Sequence, residues 1–278
     1  MPDVVTHNRM GRSVYKKLPK EIASEIDRSI YRVGLLGPDP YSKYRFFAFP
    51  LRHGINMRMV VMHREKTGDF LTELAKHSNS REMFSYLAGF LCHYALDSTT
   101  HPFVNRVSED QGYMHAAMER RIDVLELERI GKKLSDRAII RGFFPPYLPK
   151  SMQKDLDTVV KNVYGWEDTW KYLRDSYRHL RLFYCIIEDP SGALDGVLRH
   201  VPASVRKGKI RSLSYRSHIC DDMNFDEFWA LKKESVDKAV RFIEAAYAFR
   251  KGELSEEAFR KIIGNKMYNG EECLTQKG

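Results

Sequence analysis

A chain of 278 residues that is 43% hydrophobic and 30% charged carries enough apolar side chain for one core and too much to be disordered throughout. Its 46 Lys and Arg outnumber 37 Asp and Glu, for a formal charge of +9. That excess favours anionic partners without choosing among them, and plain solubility accounts for it equally well.

Cys92, Cys185, Cys220 and Cys273 form no CxxC pair and no framework spacing, so reduced thiols are expected. The opening Met-Pro-Asp-Val-Val-Thr-His lacks the basic start and apolar run of a secretory signal, so the expectation is a cytoplasmic protein.

In chain order, Pro19 opens a helical stretch in which Ile22, Ile26, Ile30 and Val33 share a face before Gly34 ends it. The segment Gly37-Pro38-Asp39-Pro40-Tyr41 is expected not to be helical and reads as an ordered loop whose prolines fix the backbone around Asp39. Periodicity then predicts helices over Arg58 to Lys76, Ser80 to Thr99, Tyr113 to Leu134, Lys154 to Tyr164 and Trp166 to Glu188. Met83 to Leu96 is strongly apolar but shorter than the roughly 20 residues that span a bilayer; it reads as a buried helix.

Asn224 is the expected N-cap of a helix with inner face Phe225, Phe228, Trp229, Val236, Val240 and Ile243, and Ser255 caps a short last helix. The tail from Asn269 is expected to fray. Candidate linkers are Gly142 to Lys150 and the basic stretch Leu198 to His218. The expected fold is all-α, a single multi-helix bundle over residues 1–278. Its metal-site half covers about 1–135, and C-terminal helices over about 150–265 complete it.

The chemistry sits in Phe90-Leu-Cys-His93-Tyr-Ala-Leu-Asp97-Ser-Thr-Thr-His101-Pro102 and in His115-Ala-Ala-Met-Glu119. Residues four apart on a helix are displaced by only about 40°, so each pair, His93 with Asp97 and His115 with Glu119, shares a face. Pro102 disfavours helix at His101, which is expected in a turn between the two helices. The helix around Asp97 is apolar on nearly every side, and burying an unpaired carboxylate costs several kcal/mol, so Asp97 needs a cation or metal. Imidazole and carboxylate without thiolate suit zinc, with iron or manganese as alternatives. The bland alternative is that these side chains pair with one another or with backbone.

These residues, with the early His7, the GPDP loop at Asp39 and His63 in His-Arg-Glu-Lys-Thr-Gly, make the first 120 or so residues resemble the zinc-dependent phospholipase C family. That family shares its fold with the S1/P1 nucleases. The resemblance implies one zinc ion among Asp39, His63, His93 and Asp97, and a second among His101, His115 and Glu119. It implies a third, weaker site of His7, the far oxygen of Asp97 and the N-terminal residue, hence two or three Zn2+ in all.

His53 and His63 both follow the Asp39 loop at a plausible distance; the surrounding motif favours His63. His77, His179, His200 and His218 lack ligand-like neighbours, although His218 with Asp221 and Asp222 remains able to cap the site.

The implied activity is hydrolysis of a phosphodiester by metal-activated water, with Asp39 as ligand, as the group that orients or deprotonates that water, or as both. The expected partner is a phosphodiester substrate, a phospholipid headgroup included, with peripheral membrane contact; nucleic acid ranks behind it. The aromatics Tyr41, Tyr44, Phe46, Phe47 and Phe49 could line a substrate wall, though core packing explains most such residues. Arg206, Lys207, Lys209 and Arg211 suit anionic lipid or nucleic acid, and equally a solvated loop. Two other readings stay open: a nuclease of S1/P1 type, and a non-catalytic metal-stabilised module that binds anions.

Overall fold

The computed structural model describes residues 3–48, 54–109, 112–133, 148–189, 191–200, 215 and 220–273. Among them the architecture is all-α, and the one β-type feature is an isolated bridge between Lys266 and Glu272. The helices are α1 (Val4–Lys17), α2 (Lys20–Glu25), α3 (Arg28–Gly34), α4 (Met57–Arg64), α5 (Thr67–Lys76), α6 (Arg81–Ser108), α7 (Gly112–Glu128), α8 (Gln153–Tyr164), α9 (Thr169–Ile187), α10 (Ala193–His200), α11 (Asp226–Arg250) and α12 (Glu256–Ile263).

The bundle is built around α6. Its apolar residues fall on all sides, and every residue from Met83 to Ser98 is buried, the pattern of a helix enclosed by others. α1, α3, α5, α7 and α11 pack against it. Two glycines make the tightest of these crossings. A Cβ at Gly34 would lie 2.2 Å from the Tyr86 carbonyl oxygen, and one at Gly89 would lie 2.1 Å from that of Tyr31. The backbones of α3 and α6 therefore touch one helical turn before His93.

Several elements differ from expectation. Pro102 lies inside α6, so His101 is helical and not in a turn. The proline removes one backbone bond, but the packing around this central helix outweighs the local preference. The stretch from Pro19 to Gly34 is two helices, because the Asp27 carboxylate caps α3 by accepting from the Ser29 and Ile30 amides. Arg58 to Lys76 is also broken, at Lys66 with φ +52°, which lets Gly68 seat against the Gly264 carbonyl while its amide donates to Asn265.

The Asp39 segment, expected to be a non-helical ordered loop, is a short 3-10 helix, Asp39–Lys43, whose first turn accommodates Pro40. The cap position of α11 is Phe225, one residue later than expected, and Asn224 accepts from the Asp226 amide. Of the inner face expected for α11, Trp229 and Val240 are half-buried and the rest buried. Ser255 does cap the last helix.

Residues 269–273 do not fray. They turn back so that Cys273 is buried and Gly270 lies against Pro102; 274–278 lie outside the described residues. So do Phe49, His53, His218, the basic residues from Arg206 to Arg211, and most of both expected linkers.

Candidate metal centre

Five elements carry the eight candidate ligands. α1 brings His7, the 3-10 helix Asp39, α4 His63, and α6 the stripe His93, Asp97 and His101. Because α6 continues through Pro102, His101 stands one turn beyond Asp97 on the same stripe, where it meets His115 and Glu119 of α7. All eight residues fall into three groups with ligand atoms within 4.8 Å of one another: His7, His93 and Asp97; Asp39, His63 and His93; His101, His115 and Glu119.

The separations suit a shared ion. Ligand atoms about 2.0–2.2 Å from a tetrahedral zinc stand about 3.3 Å apart. Here the Nε2 atoms of His93 and His63 lie 3.2 and 3.7 Å from Oδ2 of Asp97, and 3.7 and 3.5 Å from Oδ1 of Asp39. On the other side of the Asp97 carboxylate, Oδ1 lies 3.3 Å from Nε2 of His7. In the third group Glu119 Oε1 is 2.7 Å from His115 and 3.8 Å from His101.

Hydrogen bonding leaves these atoms exposed to a cation. Nδ1 of His63 faces the Met59 carbonyl oxygen at 2.6 Å, that of His93 the Leu35 oxygen at 3.2 Å, and that of His101 the Asp97 oxygen at 3.2 Å. A carbonyl only accepts, so each Nδ1 carries the proton and each Nε2 presents a lone pair. Nε2 of His7, His63 and His93, Oδ1 of Asp39 and both carboxylate oxygens of Asp97 are buried with no hydrogen-bond partner. Native interiors rarely tolerate one such atom, and bound cations would satisfy the set.

The electrostatics agree. Burial, with His93 second, lowers the pKa of His7; burial holds His101 well below the ordinary range and lowers His115 to about 3. Neutral imidazoles are the form a metal takes. Burial opposes ionisation of Asp97, but His93 and His101 outweigh it and hold the carboxyl well below its usual range. Burial likewise opposes a charge on His93, yet Asp97 and Asp39 raise it: positive charge is favoured between these carboxylates.

Three further residues shape the centre and escaped the sequence reading. Gly37, at φ +50°, presses on the His93 ring, where a Cβ would lie 2.3 Å from Cδ2; its signal was the GPDP motif itself. Asp123 is buried one turn after Glu119 and accepts from the Val5 and Thr6 amides at 2.9 and 2.8 Å and from the Thr6 hydroxyl at 2.6 Å. It therefore anchors the first turn of α1, which carries His7, and the i, i+4, i+8 series from His115 was its signal. Tyr268 is buried against the rings of His63 and His93, and its amide donates to the His63 carbonyl.

The other histidines stand apart. His77 is near Glu73 and Asp155, and His179 Nδ1 accepts from the Arg45 amide beside Tyr44 and Phe47. Of the aromatics near Asp39, Tyr41 and Tyr44 are core, while Phe47 is exposed.

Comparison with known proteins matches residues 6–182 to the family described as zinc dependent phospholipase C. No curated protein and no solved structure gave a match. The matched span is more than half of the chain and contains all eight candidate ligands; the chain belongs to the zinc-dependent phospholipase C family.

Proposed function

We propose that the protein hydrolyses the phosphodiester bond of a phospholipid headgroup. In this reading Asp39, His63, His93 and Asp97 hold one zinc ion and His101, His115 and Glu119 hold a second. His7 and Oδ1 of Asp97 contribute to a third. The observation that carries the reading is the set of buried, partnerless imidazole and carboxylate atoms that converge from α1, the 3-10 helix, α4 and α6. Zinc bound there supplies Lewis-acid chemistry: it draws phosphate oxygens, offsets charge on the leaving group and lowers the pKa of water.

The chain's own groups do the rest. His93 and Asp97 are fully buried, whereas Asp39, His63, His115 and Glu119 retain partial exposure, so substrate approaches from their side. Asp39, 18% exposed, orients the attacking water and takes its proton at the carboxylate. In the metal-free chain burial raises the Asp39 pKa against the pull of His93 and His63.

A lipid substrate fits the surface beside Asp39. Phe47, Leu182 and Ile186 are 62, 47 and 49% exposed. Phe46 and Phe47 contact Phe183 and His179 of α9 edge-on; Arg45, over the ring of Tyr44, and Arg178, paired with Asp175, adjoin Phe46 and His179 in sequence. Apolar groups among cations suit the surface of an anionic bilayer. The contact in this reading is peripheral; no helix among the described residues is long and apolar enough to cross a membrane. No disulfide joins the four cysteines, which supports a reducing cytoplasmic compartment.

The test is turnover of phosphatidylcholine vesicles, a soluble bis-aryl phosphodiester and single-stranded DNA, with and without chelator. Chelator-sensitive hydrolysis of the vesicles is expected. Cleavage of DNA alone would make the protein a nuclease, and full metal content with no turnover would make it a binding module.

A further inference from the structure

A cavity of about 770 Å³ opens between α6, α11, α12 and the turn at Lys266. Tyr94 and Ser98 each follow a candidate ligand by one residue, so they leave α6 about 100° round from the stripe of His93 and Asp97. The cavity is thus separate from the metal centre.

Its floor is apolar, with Tyr94, Phe242 and Ile263 buried beneath it. Its rim is cationic: Lys238, Arg241, Lys261 and Lys266 stand against Glu244 and Glu272 alone. Lys266 pairs with Glu272 at 3.9 Å, while Arg241 and Lys261 form no salt bridge among the described residues. Lys238 lies over the rings of Tyr94 and Phe242 and donates to the hydroxyls of Ser98 and Thr99 at 2.9 and 3.3 Å, a neutral pair of acceptors for a largely buried ammonium. Burial, and after it the charge of Lys266, lowers Lys238 to about 8. Four cations against two carboxylates leave the rim with a net positive charge that an anion would offset.

We propose that this cavity binds an amphiphile with a single anionic head, the head held by Lys238, Arg241, Lys261 and Lys266 and the hydrocarbon tail laid along Ala248, Leu254 and Ile262 above the buried floor. The volume is that of a small-molecule site and takes one such molecule. The apolar floor distinguishes this ligand from a bare anion, and the cationic rim distinguishes it from a neutral lipid. The inference does not depend on the hydrolase reading.

Calorimetric titration of the full, zinc-loaded chain with decyl phosphate below its micellar concentration tests it, against inorganic phosphate and decanol. The expected result, counted apart from any phosphate held at the zinc centre, is one decyl phosphate site that binds at least tenfold more tightly than either half-ligand. Combined Arg241→Gln, Lys261→Gln and Lys266→Gln, all at exposed positions, weakens that site at least tenfold while metal content and melting temperature hold. His115→Ala leaves it intact. Unchanged affinity in the triple variant, equal affinity for decanol or inorganic phosphate, or loss of the site in His115→Ala would overturn the proposal.

Discussion

Gly37 stands against the imidazole of His93 so closely that any side chain there would occupy the ring's position. The contact holds His93 between a backbone that cannot yield and the Leu35 carbonyl that binds its Nδ1. Gly37→Ala should cost roughly 1–2 kcal/mol for the left-handed backbone alone, and displacing His93 should weaken metal binding by about 10–100-fold. Gly165→Ala is the control: its φ is +70° with nothing within 4 Å of a Cβ, so it should lower stability without touching metal affinity. Competition with a fluorescent chelator measures the affinities, and urea unfolding the stabilities.

Asp97 presents its two carboxylate oxygens to different imidazoles, Oδ1 to His7 and Oδ2 to His93 and His63. Asp97→Asn keeps the shape and removes the charge. Elemental analysis should then show loss of the ions shared through Asp97, and turnover should fall by at least about 10²-fold. Wild-type metal content in this variant would remove Asp97 from the ligand set.

Asp123 predicts a subtler effect. Asp123→Ala strands two amides and a hydroxyl at the start of α1 and should cost about 2–3 kcal/mol in denaturant unfolding. Since α1 carries His7, the metal count should fall by one ion while those held by Asp39, His63, His115 and Glu119 remain. Loss of stability with all ions retained would make Asp123 purely structural.

Acid should destabilise the metal-free protein early. The folded pKa values of His7, His101 and His115 lie below the unfolded value of about 6.5. Below that pH the unfolded state binds more protons, so stability falls as pH drops, by up to about 1.4 kcal/mol per unit for each group. His93 works in the opposite direction. Its raised pKa gives stability that is fully present below about 6.5 and lost as pH rises through its folded value, so it adds no slope below about 6.5; Asp39 and Asp123, whose pKa values burial raises, are the groups that partly oppose the decline there. Urea midpoints in chelator should decline from pH 6.5 towards 4; a flat profile would show that these imidazoles are not buried neutral.

What the sequence disclosed was local geometry. The pairs His93 with Asp97 and His115 with Glu119 are legible because four residues make about one helical turn wherever the helix lies. The all-α class is legible for the same reason. Pro102 misled because its local preference acts on one residue, whereas packing along α6 acts on the whole helix; the error placed His101 in a turn when it extends the ligand stripe. Gly37 and Asp123 stayed hidden because their partners, His93 and the first turn of α1, are distant in sequence. Tyr268 stayed hidden because nothing local reports that the tail folds back onto His63.

The central claim, that these side chains share metal ions, is tested most directly by diffraction from zinc-loaded crystals at the zinc absorption edge. Anomalous peaks are expected about 2.0–2.2 Å from Nε2 of His63 and His93 and the carboxylate of Asp97, and again among His101, His115 and Glu119. A map without peaks at these positions, with the imidazoles satisfied by protein or water instead, would contradict it.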